Sequence, residues 1–163
     1  PEMKSTGEAM GHGPNFGTAY LKAMKGGNKK LPTKGTVFLS ISNKLKVEFI
    51  EHAKRLKKLG FKLIATKGTA SHLRSSKIRS KVIWRISDKK SPDILSIMRE
   101  GNVNLIINLP TGKRAATDGA QMRRLAVELG IPFITTLTGA KAAIDSLKEG
   151  ELDYLEPLKK INN

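Results

Sequence analysis

The 163-residue sequence contains no cysteine, so neither a disulfide framework nor a thiolate metal site organises it, and a reducing compartment suits it. Aromatic residues make up only 5%, which leaves few platforms for stacking bases and argues against nucleic acid as a partner in spite of the positive charge. No apolar run approaches the roughly 18 residues that a membrane helix needs, and Pro1-Glu2-Met3-Lys4 lacks the apolar stretch of a signal peptide. The expectation is a cytoplasmic protein without a membrane partner, and a chain that opens on Pro1 suggests a fragment. With 15 Gly and 7 Pro, collagen-like and low-complexity chains are excluded. Acidic residues are scarce in one stretch above all. Between Lys22 and Lys90 there are 3 Asp and Glu against 20 Lys and Arg, whereas after Lys90 the two signs balance at 9 each, so the middle of the chain carries the net +16. Such a field attracts polyanions, phosphorylated small molecules or an acidic protein surface; the plainer alternative is a solvated face that maintains solubility.

From Thr36 onward, strand-length apolar runs alternate with amphipathic segments of helical length, the signature of β-α units in a parallel sheet. The fold class is therefore α/β, with a five-stranded, Rossmann-like sheet between helical layers. Val37–Ile41 reads as the first strand, and Ser42 or Asn43 as the cap of a helix whose stripe is Leu45, Phe49, Ala53, Leu56 and Leu59. Gly60 suits its left-handed stop. Phe61–Ala65 is a second strand, followed by Thr66-Lys67-Gly68-Thr69 and a short helix near Ala70–Arg74. Lys81–Ile86 reads as the third strand. Ser91 and Pro92 supply a cap and a first-turn proline for a helix with Ile94, Ile97 and Met98 on one face, and Asp93 reads as a first-turn charge. Val103–Leu109 is a nearly continuous apolar run, interrupted by Asn104 and Asn108, as expected of a strand covered on both faces. A helix with Met122, Leu125, Ala126 and Leu129 comes next, then a strand over Ile131–Thr136 and a last helix after Gly139 carrying Ala140, Ala143, Ile144 and Leu147.

Residues 1–35 stand apart: a Gly-rich opening, a short helix over Asn15–Lys25, and the polar linker Gly26-Gly27-Asn28-Lys29-Lys30. The sheet domain is expected over 36–150 and a tail over 151–163.

In an open parallel sheet, ligands bind beyond the carboxyl ends of the strands, where helix N-termini offer unpaired N–H groups and a positive dipole end. Thr66-Lys67-Gly68-Thr69 combines two hydroxyls with a glycine that admits an anion to the backbone, at the start of a helix. It reads either as a phosphate cradle or as a plain capped turn. Lys46 in the first turn of the first helix, Arg85 at the end of the third strand and Asn108 at the end of the fourth fall near the same rim. Lys and Arg neutralise a phosphate as point charge and planar fork, and Asn donates an amide. Thr111-Gly112-Lys113-Arg114 is a second candidate anion-binding turn. Asp88 and Asp118 also belong near this rim. Gly11-His12-Gly13-Pro14-Asn15-Phe16-Gly17 has the wrong spacing for a dinucleotide fingerprint, and no Walker A sequence is present. His12, His52 and His72 fall on separate elements and read as surface or packing residues, so no metal site is expected.

Pro1-Glu2-Met3-Lys4-Ser5-Thr6-Gly7-Glu8-Ala9-Met10-Gly11 resembles the end of the second ATP-grasp half of carbamoyl-phosphate synthetase large chains. The remainder of the chain is similar to the C-terminal regulatory domain of that family, of methylglyoxal synthase-like fold. Phe38-Leu39-Ser40, Gly60-Phe61, Thr66-Lys67-Gly68-Thr69-Ala70, Ile106-Ile107-Asn108, Arg123-Arg124 and Thr135-Thr136-Leu137 carry the likeness.

The resemblance implies a parent ligase that makes carbamoyl phosphate from bicarbonate, glutamine-derived ammonia and ATP with Mg2+ or Mn2+, for pyrimidine and arginine synthesis. The present segment would be its regulatory, non-catalytic end, with no cofactor of its own. Its partners would be the rest of the large chain, the glutaminase small subunit and a further copy of itself. By position, Ser40, Lys46, Thr66, Gly68, Thr69, Arg85, Asn108 and Thr111 would surround the phosphate and ribose of UMP or IMP. Phe133 and Thr135 match a region that in relatives meets ornithine at a domain boundary. Arg85 stands where bacterial relatives have lysine, and Pro110 stands where they have a hydroxyl residue. Animal relatives that bind N-acetylglutamate lack the Thr-x-Gly-Thr turn, so its presence favours a phosphorylated ligand. The competing reading is a lyase of methylglyoxal synthase type, with Asp88 or Asp118 as the base that moves a proton on dihydroxyacetone phosphate.

Overall fold

The computed structural model describes residues 31–110 and 113–147, with backbone alone for 113–116. A compact unit spans Lys34–Ala140. Its elements run β1 (Thr36–Ile41), α1 (Lys46–Lys58), β2 (Lys62–Ala65), α2 (Lys67–Ser75), β3 (Lys81–Val82), a 3-10 turn (Ile86–Asp88), α3 (Ile94–Arg99), β4 (Leu105–Leu109), α4 (Lys113–Leu129) and β5 (Phe133–Ile134). A last helix, α5, occupies 137–147. All pairings are parallel and the spatial order is β3-β2-β1-β4-β5. The chain moves outward from β1 to β3, then returns to place β4 on the other side of β1. That reversal makes the crevice beyond the carboxyl ends of β1 and β4 the place where such sheets admit ligands.

Strand alternation sorts the core into two layers. Phe38 sits in register between Ile64 and Ile106, and all three join Ile94, Ile97, Met98, Met122 and Ala126 from α3 and α4 in one cluster. On the other face Val37 and Leu39 are buried, and α1 and α2 bury Phe49, Ala53, Leu56, Ala70 and Leu73. Each such large side chain contributes about 1.5–3 kcal/mol on burial. Every residue of β4 is buried, Asn108 included, as a strand covered on both faces requires.

The differences from expectation lie at element ends. α1 begins after Leu45, with no side-chain cap, because Ser42 N–H donates to the Leu109 carbonyl at 2.8 Å and a turn from Ser42 to Leu45 intervenes. Leu45 and Leu59 flank the helix, and Gly60 adopts φ +96° just beyond it. α2 starts at Lys67, so Gly68 and Thr69 lie in its first turn and the capping residue is Thr66. The third strand stops at Val82, since Trp84 turns away to bond Pro92 and Ile94, and the 3-10 turn comes after it. Asp93, and neither Ser91 nor Pro92, caps α3: its carboxylate accepts from Ser96 N–H at 2.9 Å, and the Ser91–Pro92 peptide is cis. The strands expected over Val103–Leu109 and Ile131–Thr136 shorten to Leu105–Leu109 and Phe133–Ile134. Leu129, expected on the apolar side of α4, is 44% exposed at the helix end. α5 starts earlier than Gly139, with Thr136 Oγ1 accepting from Gly139 N–H at 3.0 Å. The expectations for residues 1–30, for Thr111 and Gly112, and for 151–163 fall outside the described residues.

Candidate functional site

Three strand ends and two helix starts converge on a hollow of about 340 Å³. β1 contributes Ser40, Ile41 and, just past its end, Ser42; β4 contributes Leu109 and Pro110; the β2–α2 junction contributes Thr66, Lys67, Gly68 and Thr69. Lys46 enters from the first residue of α1, and Trp84, Arg85 and Asp88 enter from the segment after β3. Six of the expected residues, Ser40, Lys46, Thr66, Gly68, Thr69 and Arg85, are thus brought to one hollow. Asn108 pairs in register with Ser40. It lines an adjoining space of about 40 Å³ that shares Ser40, Thr66 and Arg85 with the hollow and is closed by Phe38, Ile86, Ile94, Asp118 and Met122.

The cations are held by local contacts. Lys46 Nζ donates to Asn43 Oδ1 at 2.7 Å. A Cβ at Gly68 would stand 3.1 Å from that ammonium, so the glycine gives Lys46 a close approach to the start of α2. Arg85 is half-exposed, and its guanidinium meets the Asp88 carboxylate at 3.4 Å. Asp88 also accepts from Arg85 N–H at 3.1 Å, closing the 3-10 turn. This pair occupies part of the Arg85 fork and leaves the remaining N–H donors to a ligand.

The hydroxyls divide into two kinds. Thr69 Oγ1 faces the fold: it accepts from Ile41 N–H at 3.0 Å and from Thr66 Oγ1 at 3.1 Å, and the residue is 2% exposed. It ties the end of β1 to the start of α2. Ser42 is 8% exposed, lines the hollow, and its Oγ is buried without a hydrogen-bond partner. A buried hydroxyl left unpaired costs about 1–3 kcal/mol. In the sequence Ser42 reads as a cap. Its backbone N–H is instead taken by the Leu109 carbonyl, and nothing in the sequence singles out Trp84 as lining the site.

The two carboxylates expected as catalytic bases are engaged. Asp88 is held by Arg85, and Asp118 is 7% exposed and accepts from Ser87 Oγ at 2.7 Å. Phe133 and Thr135 lie at and just beyond β5, the far edge of the sheet, and do not line the hollow. Arg123 stacks over the Phe133 ring at 5.5 Å. Among the described residues no group of His, Asp and Glu is arranged to hold a metal ion, and no helix is long and apolar enough to cross a membrane.

Residues 48–135 match the family of MGS-like domains. The chain is 48% identical over 93% of its length to the carbamoyl phosphate synthase large chain, C-terminal section, of Methanocaldococcus jannaschii, and covers 25% of that relative. It is 44% identical over 93% of its length to a carbamoyl phosphate synthase large chain of Methanosarcina barkeri, covering 38% of it. The large chain of Archaeoglobus fulgidus is 47% identical over 91% of this chain, which covers 14% of it. The chain therefore spans well under half of the relatives it matches. Among solved structures, that of ForH superposes with a TM-score of 0.52 at 18% identity, over 72% of this chain and 81% of its own, a likeness of fold.

Proposed function

Because this chain belongs to the MGS-like domain family, we propose that it is the regulatory end of a carbamoyl phosphate synthase large chain and that its hollow takes a nucleoside monophosphate, UMP or IMP. The observation that carries this reading is the convergence of Lys46, Lys67, Arg85 and the N-terminus of α2 on one hollow, beside the buried, unpartnered Ser42 hydroxyl. The phosphate dianion would sit against the first turn of α2, where N–H groups point outward and the dipole is positive. Lys46 and Arg85 would balance its charge. Ser40 and Asn108 would meet the ribose. The hollow lies within the roughly 300–1,000 Å³ of small-molecule sites.

No bond is made or broken in the segment. A ligand that binds one arrangement of domain and synthetase more tightly than another shifts that equilibrium by its differential affinity. In this reading ATP, its Mg2+ or Mn2+, the glutaminase subunit and the route to pyrimidines and arginine belong to the cytoplasmic parent ligase. Phe133 and Thr135 would meet that parent or ornithine.

Titration calorimetry of the chain with UMP, IMP and N-acetylglutamate tests the reading. One of the two nucleotides binds and N-acetylglutamate does not, and the emission of Trp84, the only tryptophan, changes with binding. Affinity weakens below about pH 6, where the phosphate monoester gains a proton. Lys46→Ala reduces it roughly tenfold, the loss of one charged hydrogen bond. Absence of binding by both nucleotides, or turnover of dihydroxyacetone phosphate, would overturn the proposal.

A further inference from the structure

The opposite rim of the sheet carries a larger hollow, of about 900 Å³. The first residues of three neighbouring strands, Thr36, Lys62 and Lys81, all line it. Its floor includes the buried Leu63, Ile78 and Ile83, and its walls carry six cations: Lys57, Lys62, Arg74, Lys77, Arg79 and Lys81. Among the described residues no Asp or Glu lines it. None of the six cations forms an ion pair among the described residues.

Helix physics accounts for Lys57 and Arg74, which lie in the last turns of α1 and α2, where a cation complements the negative dipole end. Lys77, at φ 62°, is the left-handed residue that closes α2, with its own N–H on the Arg74 carbonyl and the Ile78 N–H on the Leu73 carbonyl. Helix physics does not account for Lys62, Arg79 and Lys81. Unpaired like charges at this density repel one another within the fold. Ser80 adds a buried hydroxyl without a partner to the lining.

An apolar floor inside a ring of single-signed charge has the anatomy of a protein interface, with its dry centre and polar rim. A compact polyphosphate would use the cations and leave the floor unused, and single-stranded nucleic acid would require aromatic platforms, which the lining lacks. We infer that this rim is a docking surface for an acidic protein segment that presents Asp or Glu to the six cations and a small aliphatic anchor to the edges of Ile64, Ile78 and Ile97 that remain open in the floor. Charge complementarity steers its arrival and sets specificity, and the floor slows its departure.

The test uses the whole chain and four probes: a short fluorescent peptide of Glu and Leu at helical spacing, its Leu→Ser counterpart, tripolyphosphate, and a short single-stranded oligonucleotide. The Glu-Leu peptide binds with an affinity that falls with salt, at least about tenfold more tightly than the Leu→Ser peptide. The triple variant Lys77→Glu, Arg79→Glu and Lys81→Glu loses at least about tenfold in affinity. Reversing Lys44, Lys89 and Arg124 to Glu, an equal change in net charge, costs less than about threefold. Circular dichroism confirms that both variants are folded. Equal losses in the two triple variants, equal binding of the two peptides, full competition by tripolyphosphate, or tighter binding of the oligonucleotide would each overturn the docking surface and leave the nucleotide reading at the other rim untouched.

Discussion

The Thr69 hydroxyl is spent on the fold before any ligand arrives. It accepts from Ile41 N–H and Thr66 Oγ1, so a branched isostere without oxygen leaves both donors unpaired in a buried place. Thr69→Val is expected to lower unfolding free energy by about 1–3 kcal/mol in urea titrations. Lys46→Ala, which gives up only the exposed contact to Asn43, should change it by no more than about 0.5 kcal/mol. An unchanged midpoint for Thr69→Val would show that the β1–α2 tie carries no weight. The contrast matters for reading binding data: loss of affinity in a Thr69 variant reports a loosened rim, whereas loss in Lys46→Ala reports a missing charge. Residue chemistry alone places both on the anion rim, and both line the hollow there. It cannot tell which hydroxyl faces inward, because that depends on a backbone donor 28 positions away.

At the scale of elements, periodicity locates every helix and strand of the described sheet but misjudges their ends. The stripe Phe49, Ala53 and Leu56 is local information, and so is Gly60 beyond it. The caps are decided by long-range pairing: Ser42 is taken by Leu109, and Trp84 by Pro92 and Ile94. The edge strands β3 and β5 are short because each pairs on one side only, so an apolar run there extends beyond its ladder. One element end is fixed sterically. Gly35 enters β1 at φ +119°, and a Cβ there would collide with the Asn104 side chain, whose Oδ1 accepts from Thr36 N–H at 2.8 Å. Gly35→Ala therefore strains the backbone and displaces that bond, and should cost about 1–3 kcal/mol, seen as a lower thermal midpoint. A wild-type midpoint would mean that the β1 entrance relaxes freely.

For the molecule as a whole, the uniform direction of the strands gives the compact unit two unlike ends. Helix starts and hydroxyls gather at one, and long cationic side chains around aliphatic residues gather at the other. β1, six residues long, separates them by about 20 Å. That is more than two screening lengths at physiological salt, so the charge of a phosphate at one end is barely felt at the other. Saturating the chain with nucleotide should leave the affinity of the acidic peptide within about twofold, measured by fluorescence anisotropy. A larger shift would require movement of the strands themselves.

The Ser42 amide bond to Leu109 lies at the seam between β1 and β4, where the chain's outward and returning halves meet. It extends the β1–β4 ladder by one more rung beyond Ile41 and Leu109, so whatever occupies the hollow rests against the last stitch that holds the two halves together.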